Sequence, residues 1–196
     1  MSNEITVKIE CSINELYKML ESKGFSIVDK YRLDDIYYIK NTIEVNKDSI
    51  KEILSNCILL RNITQYKPND FFDSYKIIKI TLKQKEINSK GEIIKQTKND
   101  CEISDIQQGK NFIIALGYKE LVEIKENSIV YGKDGLNIAV KDIDGEEPLI
   151  EIETDKNNSE LNTIDKIKQK IEELNIPIDR SNYFVKKVEL KLEKLL

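Results

Sequence analysis

The 196-residue sequence contains no histidine, which excludes an imidazole general base, a Ser-His-Asp triad and the common His-based zinc sites. Chemistry is left to carboxylates, amines and hydroxyls, with or without a divalent metal. Carboxylates recur two residues apart at Asp100/Glu102 and at Glu151/Glu153, and Glu4 stands on a similarly alternating stretch near the start. On a strand such pairs share a face about 7 Å apart, close enough to hold one Mg²⁺ or Mn²⁺ directly or through water. Lys79, Thr81, Lys83 and Lys85 form a basic stripe in the same way, and an amine is a compact donor to phosphate oxygens. Taken singly, each pattern also fits a solvated surface face or an edge strand guarded by lysines.

The elements that must position these residues are marked by period and punctuation. Residues 4–10 alternate, with Ile5, Val7 and Ile9 on one face. Ser12 and Glu15 form a capping box for a helix that stops at Gly24. Residues 25–40 read as two short strands meeting near Leu33-Asp34-Asp35, followed by a short helix from Asp48-Ser49 to about Asn56 and a strand over Ile58–Ile63. The basic stripe, Tyr75 to Glu86, pairs across Lys90-Gly91 with a strand carrying Glu92, Ile94, Gln96, Lys98, Asp100 and Glu102 on one face. Ser104-Asp105 caps a helix ending at Gly117, and strands near 119–131, 136–143 and 147–154 make a meander through Asp134-Gly135 and Asp144-Gly145. Helices are expected over Leu161–Leu174 and from about Ser181 onward.

About eight strands in hairpin order with interleaved helices predict an α+β fold. The alternation suits two arrangements: a sheet with one face in water, or a closed barrel whose polar face lines a solvated interior. The length and even composition predict a single domain over residues 1–196. With 34% charged residues and no apolar run near 20 residues, the chain reads as a soluble cytoplasmic protein with no membrane partner. Cys11, Cys57 and Cys101, odd in number and far apart, do not suggest a disulfide framework. A net charge of -4 offers no global attraction to nucleic acid, so an anion site must be built locally.

In their order along the chain these segments resemble the CYTH family of class IV adenylyl cyclases and thiamine triphosphatases, the triphosphate tunnel metalloenzymes. Glu4-Ile5-Thr6-Val7-Lys8 is similar to the family's Glu-x-Glu-x-Lys, Asp35-Ile36-Tyr37-Tyr38 to its Asp-x-Tyr-Phe, and Leu60-Arg61-Asn62-Ile63 to its Leu-Arg-x-Arg. Thr81-Leu82-Lys83 resembles its Thr-x-Lys, Lys98 through Glu102 its Arg-x-Glu-x-Glu, Lys125 the lysine of its Lys-x-Arg, and Glu151-Ile152-Glu153 its closing Glu-x-Glu. The resemblance implies an eight-stranded closed antiparallel β-barrel, a triphosphate tunnel, with helices packed outside. It implies metal ligands at Glu4, Asp100, Glu102, Glu151 and Glu153, catalytic roles for Glu4 and Glu153, and phosphate contacts from Lys8, Arg61, Lys83, Lys98 and Lys125. The cofactor would be Mg²⁺ or Mn²⁺ and the partner a triphosphate-containing small molecule. A homodimer is left open.

Four positions depart from the family pattern. Thr6 replaces the second N-terminal glutamate, Ile63 and Asn127 stand at arginine positions, and Lys141 stands for an aspartate. A tunnel so altered is expected to attract anions more strongly and metal less. Among activities, hydrolysis of tripolyphosphate, thiamine triphosphate or a nucleoside triphosphate is favoured over cyclisation of ATP, since no purine pocket is legible. A polyphosphate-binding module and an inert salt-bridged barrel are the non-enzymatic alternatives.

Overall fold

A computed structural model of the chain describes residues 4–67, 70–87, 93–155 and 158–196. Its strands are β1 (Glu4–Lys8), β2 (Ser26–Lys40), β3 (Asn56–Lys67), β4 (Asp70–Ile87), β5 (Ile93–Ile103), β6 (Tyr118–Lys133), β7 (Leu136–Ile143) and β8 (Leu149–Glu153). The helices are α1 (Ile13–Ser22), α2 (Ile50–Ile53), α3 (Ile106–Ala115), α4 (Ile164–Glu173) and α5 (Lys187–Leu195). No helix among the described residues is long and apolar enough to cross a membrane. The capping box of Ser12 and Glu15 forms, and Gly24, Gly117, Gly135 and Gly145 take the left-handed conformation at the helix ends and turns where they were expected. The predicted Lys90-Gly91 turn lies outside the described residues.

Residues 26–40 make one long strand rather than two. Asp34 and Asp35 do not break it, because Asp35 is paired across to Arg61 on β3 and to Ile124 on β6, in ladders without a register shift between Tyr31 and Tyr37. All strands join one antiparallel sheet in the order β1-β8-β7-β6-β2-β3-β4-β5.

The sheet curls but does not close, so the expected closed barrel is not formed. Glu4 on β1 and Lys83 on β4 act on one another electrostatically although six strand spacings, about 29 Å on a flat sheet, separate their strands. Closure would need the outer edge of β1 to bond to β5. That edge is already used: Thr6 N donates to Tyr183 O at 3.1 Å, Val185 N to Thr6 O at 2.9 Å, and Asp179 N to Lys8 O at 3.0 Å. With its backbone groups satisfied by residues 179–185, β1 has nothing to offer a further strand. The same pairing explains why the last helix starts at Lys187 and not near Ser181.

Strand alternation sends apolar side chains to the convex face, where two helical patches cover them. Ile5, Val7, Ile138, Val140, Ile150 and Ile152 pack under Leu16 and Leu20 of α1 and Ile167 and Ile171 of α4. Ile36, Tyr38, Ile58 and Leu60 pack under Ile113 of α3. On the concave face, α5 lays Val188 and Leu192 over Tyr37, Leu59, Val122, Ile124, Ile143 and Leu149. One strand layer further on, the inward side chains turn polar.

Gly109 lets α3 lie close to the sheet. A Cβ there would run into Ile103 Cδ1 and sit 3.4 Å from Leu60 Cδ1. Gly109→Val is expected to cost ~1–3 kcal/mol through overpacking, read as a lowered urea midpoint at unchanged slope.

Candidate functional site

The polar layer beside α5 is a continuous chain of ions. Arg61 on β3 donates twice to Asp35 on β2, Nε to Oδ1 at 2.6 Å and Nη2 to Oδ2 at 2.7 Å. Lys187, at the start of α5, lies 2.7 Å from the same Asp35 and 2.6 Å from Glu126 on β6. Ser128 donates to Glu126 at 2.7 Å. Lys141 on β7 stands 3.9 Å from Glu126 and 2.6 Å from Glu151 Oε2 on β8, and Thr6 on β1 donates to that same Glu151 oxygen at 3.3 Å.

Asp35 and Glu126 are wholly buried, which would raise their pKa values and favour the neutral acids. Arg61 and Lys187 overcome this at Asp35 and hold its carboxyl at about 2. Lys187 and Lys141 likewise outweigh burial at Glu126 and keep it below the usual carboxylate range. At Lys141, burial disfavours the ammonium, but Glu126 and Glu151 reverse the balance and raise it. The layer is therefore charged and internally neutralised.

Next to this layer three carboxylates gather. Because β1 and β8 are antiparallel with Glu4 opposite Glu153 and Thr6 opposite Glu151, ligand oxygens of Glu4, Glu151 and Glu153 lie within 4.8 Å of one another. Glu151 is half-buried and the other two are exposed. Partial loss of hydration, then the neighbouring Glu151, pushes the Glu4 carboxyl up, the effect of like charges that a cation would relieve. Three hard oxygen donors at this spacing fit a Mg²⁺ or Mn²⁺.

The basic stripe meets this cluster from the other side of the curled sheet. Lys79, Thr81 and Lys83 share a face of β4 and stand opposite Glu102, Asp100 and Lys98 of β5. Thr81 donates to Asp100 at 2.6 Å, Lys79 is 3.4 Å from Glu102, and Lys98 is 3.5 Å from Asp100. Lys83 and Lys98 are direct cross-strand neighbours, a like-charge pairing that costs energy unless an anion lies between. Lys83 Nζ also stands 5.9 Å from the Tyr37 ring.

Of the residues singled out in the sequence, the fold brings Glu4, Glu151 and Glu153 together and sets Lys83 across from them. Asp100 and Glu102 stay with the β4–β5 lysines, apart from that trio. Arg61 faces inward but is engaged by Asp35. Lys8 is bound to Glu147 at 2.5 Å, and Lys125 pairs with Glu123 at 3.8 Å on the face of β6 opposite to Glu126 and Ser128. The inward positions of that strand are thus 126 and 128, one residue away from the Lys125/Asn127 alignment. The sequence reading quoted Asp35 in a motif without giving it a role in the site, and it missed Glu126, Ser128 and Lys187 as members of the polar face. Burial of Glu126 and Ser128 between Ile124 and Val130 was visible only as alternation, and nothing local marks Lys187.

These features define a class: an α+β protein whose open, curled, eight-stranded antiparallel sheet carries an ionic concave face with a carboxylate trio opposite a lysine row. No protein-family model matches the chain. It is 27% identical over 173 residues, 87% of this chain and 85% of the relative, to a Methanocaldococcus jannaschii protein named "Putative adenylate cyclase". The fold is shared with the PH1819 protein of Pyrococcus horikoshii, at TM-score 0.64 and 21% identity over 97% of this chain and 98% of that one. It is shared too with the Hippeastrum protein named "Putative adenylyl cyclase HpAC1", described as having a dominant triphosphatase activity, at TM-score 0.56 and 14% identity over 96% and 93% of the two chains. The motif resemblance to a family that includes adenylyl cyclases is accompanied by a sequence relative named as a putative adenylate cyclase and by solved structures that share the fold.

Because Asp35 falls from its usual 3.8 to about 2 on folding, it contributes stability that is present above pH ~4 and lost as pH drops towards 2, roughly 2 kcal/mol. Asp35→Asn is expected to cost ~3–5 kcal/mol at pH 7 by removing the counter-charge of Arg61 and one of the two carboxylates of Lys187. Its deficit against wild type should narrow by about 2 kcal/mol at pH 2, as measured by urea unfolding at both pH values.

Proposed function

We propose that this chain binds a triphosphate-containing small molecule on the concave face and hydrolyses it with the help of a divalent cation. The observation that carries the reading is the confrontation, across one curled sheet, of the Glu4/Glu151/Glu153 trio with the cationic stripe of Lys79, Lys83 and Lys98. A triphosphate presents negative oxygens to the lysines and, through a cation, to the carboxylates, and so satisfies both sides together.

In this reading Lys83 and Lys98 grip phosphate oxygens, and their cross-strand repulsion is relieved by the ligand. Thr81 fixes Asp100 beside them, which keeps Lys98 directed along the strand face. A Mg²⁺ or Mn²⁺ held by Glu4, Glu151 and Glu153 would neutralise charge on the phosphoryl oxygens and polarise the phosphorus. Glu153, exposed at the rim, orients a water, and Glu4 accepts its proton. The water oxygen bonds to the terminal phosphorus, the bridging P–O bond breaks with its electron pair passing to the departing diphosphate, and orthophosphate is the product formed.

Cyclisation of ATP is the second reading, favoured by the name of the Methanocaldococcus jannaschii relative. It requires a ribose 3′-hydroxyl to attack the α-phosphate and releases pyrophosphate.

Phosphorus NMR with tripolyphosphate, thiamine triphosphate and ATP, with Mg²⁺ or Mn²⁺ and then with chelator, separates these outcomes. Metal-dependent orthophosphate is the expected product, cyclic AMP with pyrophosphate supports cyclisation, and unchanged substrates overturn both. Lys83→Ala is expected to weaken tripolyphosphate binding about tenfold while leaving the fold intact; unchanged affinity in a calorimetric titration would remove Lys83 from the ligand contacts. Glu153→Gln should lower turnover by roughly 10²-fold or more, with turnover at the wild-type rate excluding it from the chemistry.

A further inference from the structure

Lys141 is an unusual presence in a carboxylate cluster that is to hold a metal. Its side chain is 12% exposed, its Nζ lies 2.6 Å from Glu151 Oε2, and Thr6 donates a second hydrogen bond to that same oxygen. Both Glu126 and Glu151 act on Lys141, but Glu126 has a second cation in Lys187 at 2.6 Å, and the close contact and hydrogen bond of Lys141 go to Glu151. The trio carries three negative charges and Lys141 returns one, which leaves two, the charge of a single divalent ion.

We propose that Lys141 is a tethered cation occupying one side of this cluster. It competes with metal for Glu151, restricts the cluster to one divalent ion held mainly by Glu4 and Glu153, and sets the affinity for that ion. The proposal rests on the reading of the cluster as a metal site. Its physical basis is simple: an ammonium and a divalent cation a few Å apart repel one another, and both draw on the Glu151 oxygens. The tethered charge requires no binding step, since β7 and β8 hold it in place.

Mn²⁺ binding without any phosphate compound, followed by calorimetry and by the loss of the free-ion electron paramagnetic signal, tests this directly. Wild type is expected to bind one Mn²⁺ per chain. Lys141→Met keeps the apolar stem and removes the charge, and should bind Mn²⁺ about tenfold more tightly or take up a second ion. Lys141→Arg, which retains the charge, should behave like wild type. Glu4→Gln should cost wild type more affinity than Glu151→Gln, and in the Lys141→Met background Glu151→Gln should cost at least as much as Glu4→Gln. Circular dichroism establishes that each variant is folded, and Lys141→Gln serves in place of Lys141→Met should the latter fail to fold. If wild type binds Mn²⁺ and the neutral variant binds it no more tightly and with the same stoichiometry, the role given to Lys141 is overturned. If neither protein binds Mn²⁺ at millimolar concentration, the metal reading of the cluster falls, and the Lys141 proposal with it.

Discussion

The ion chain from Arg61 through Asp35, Lys187, Glu126 and Lys141 to Glu151 is the interaction on which the rest of the structure depends. Each link lies between 2.6 and 3.9 Å, and the chain crosses five strands and one helix. Burying charges costs several kcal/mol for each ion unless every one has a partner. Three cations and three anions alternate here, so the layer is acceptable only when it is complete. Through Lys187 the requirement extends to α5, whose position is set both by its apolar face against Tyr37 and Leu59 and by one amine between two carboxylates. Such a layer makes the concave face rigid and selects one placement of the helix among many that hydrophobic contact alone would tolerate.

Curvature follows from unequal covering. The convex face is apolar and takes three helices, whereas the concave face takes α5, with Ile50 of α2 beside it, and leaves its polar remainder to gather charges from distant strands. This is how Glu4 and Lys83 come to influence one another from strands far apart in the sheet order. The gap between β1 and β5 does not undo that focusing. The residues that fill it on the β1 side, 179–185, lead directly into α5, so one segment both occupies the edge of the sheet and carries Lys187 to the ion layer.

The charges divide into two groups with different consequences. Those in the ion layer satisfy one another and hold the walls of the concave face together. Beside it, Glu4 stands near Glu151 and Glu153 at the end of the layer, and Lys83 faces Lys98 across β4 and β5, where Asp100 and Glu102 accompany the lysines. Neighbouring like charges attract counter-ions of the opposite sign. A site with both kinds of neighbour suits a polyanion accompanied by a cation.

The sequence by itself determined the elements and most of their faces, because those depend on neighbours two to four residues away. Alternation in Ile78/Ile80/Leu82 against Lys79/Thr81/Lys83, the Ser12–Glu15 capping box and the Asp134-Gly135 turn are local statements, and each is realised. Glu4, Glu151 and Glu153 were candidates through the family resemblance, together with Asp100 and Glu102, and only the pairing of β1 with β8 brings these three together. Tertiary structure alone decided the rest. Which face of β6 looks inward turns on a single residue of register, and that places Glu126 and Ser128 in the site and Lys125 outside it. Whether the sheet closes was decided by hydrogen bonds between Thr6 and residues 183 and 185, and the partners of Asp35 and Glu126 include a lysine at position 187. Periodicity carries no information about contacts at such separations. They are set by which buried charges and backbone groups must be satisfied once the whole chain is packed.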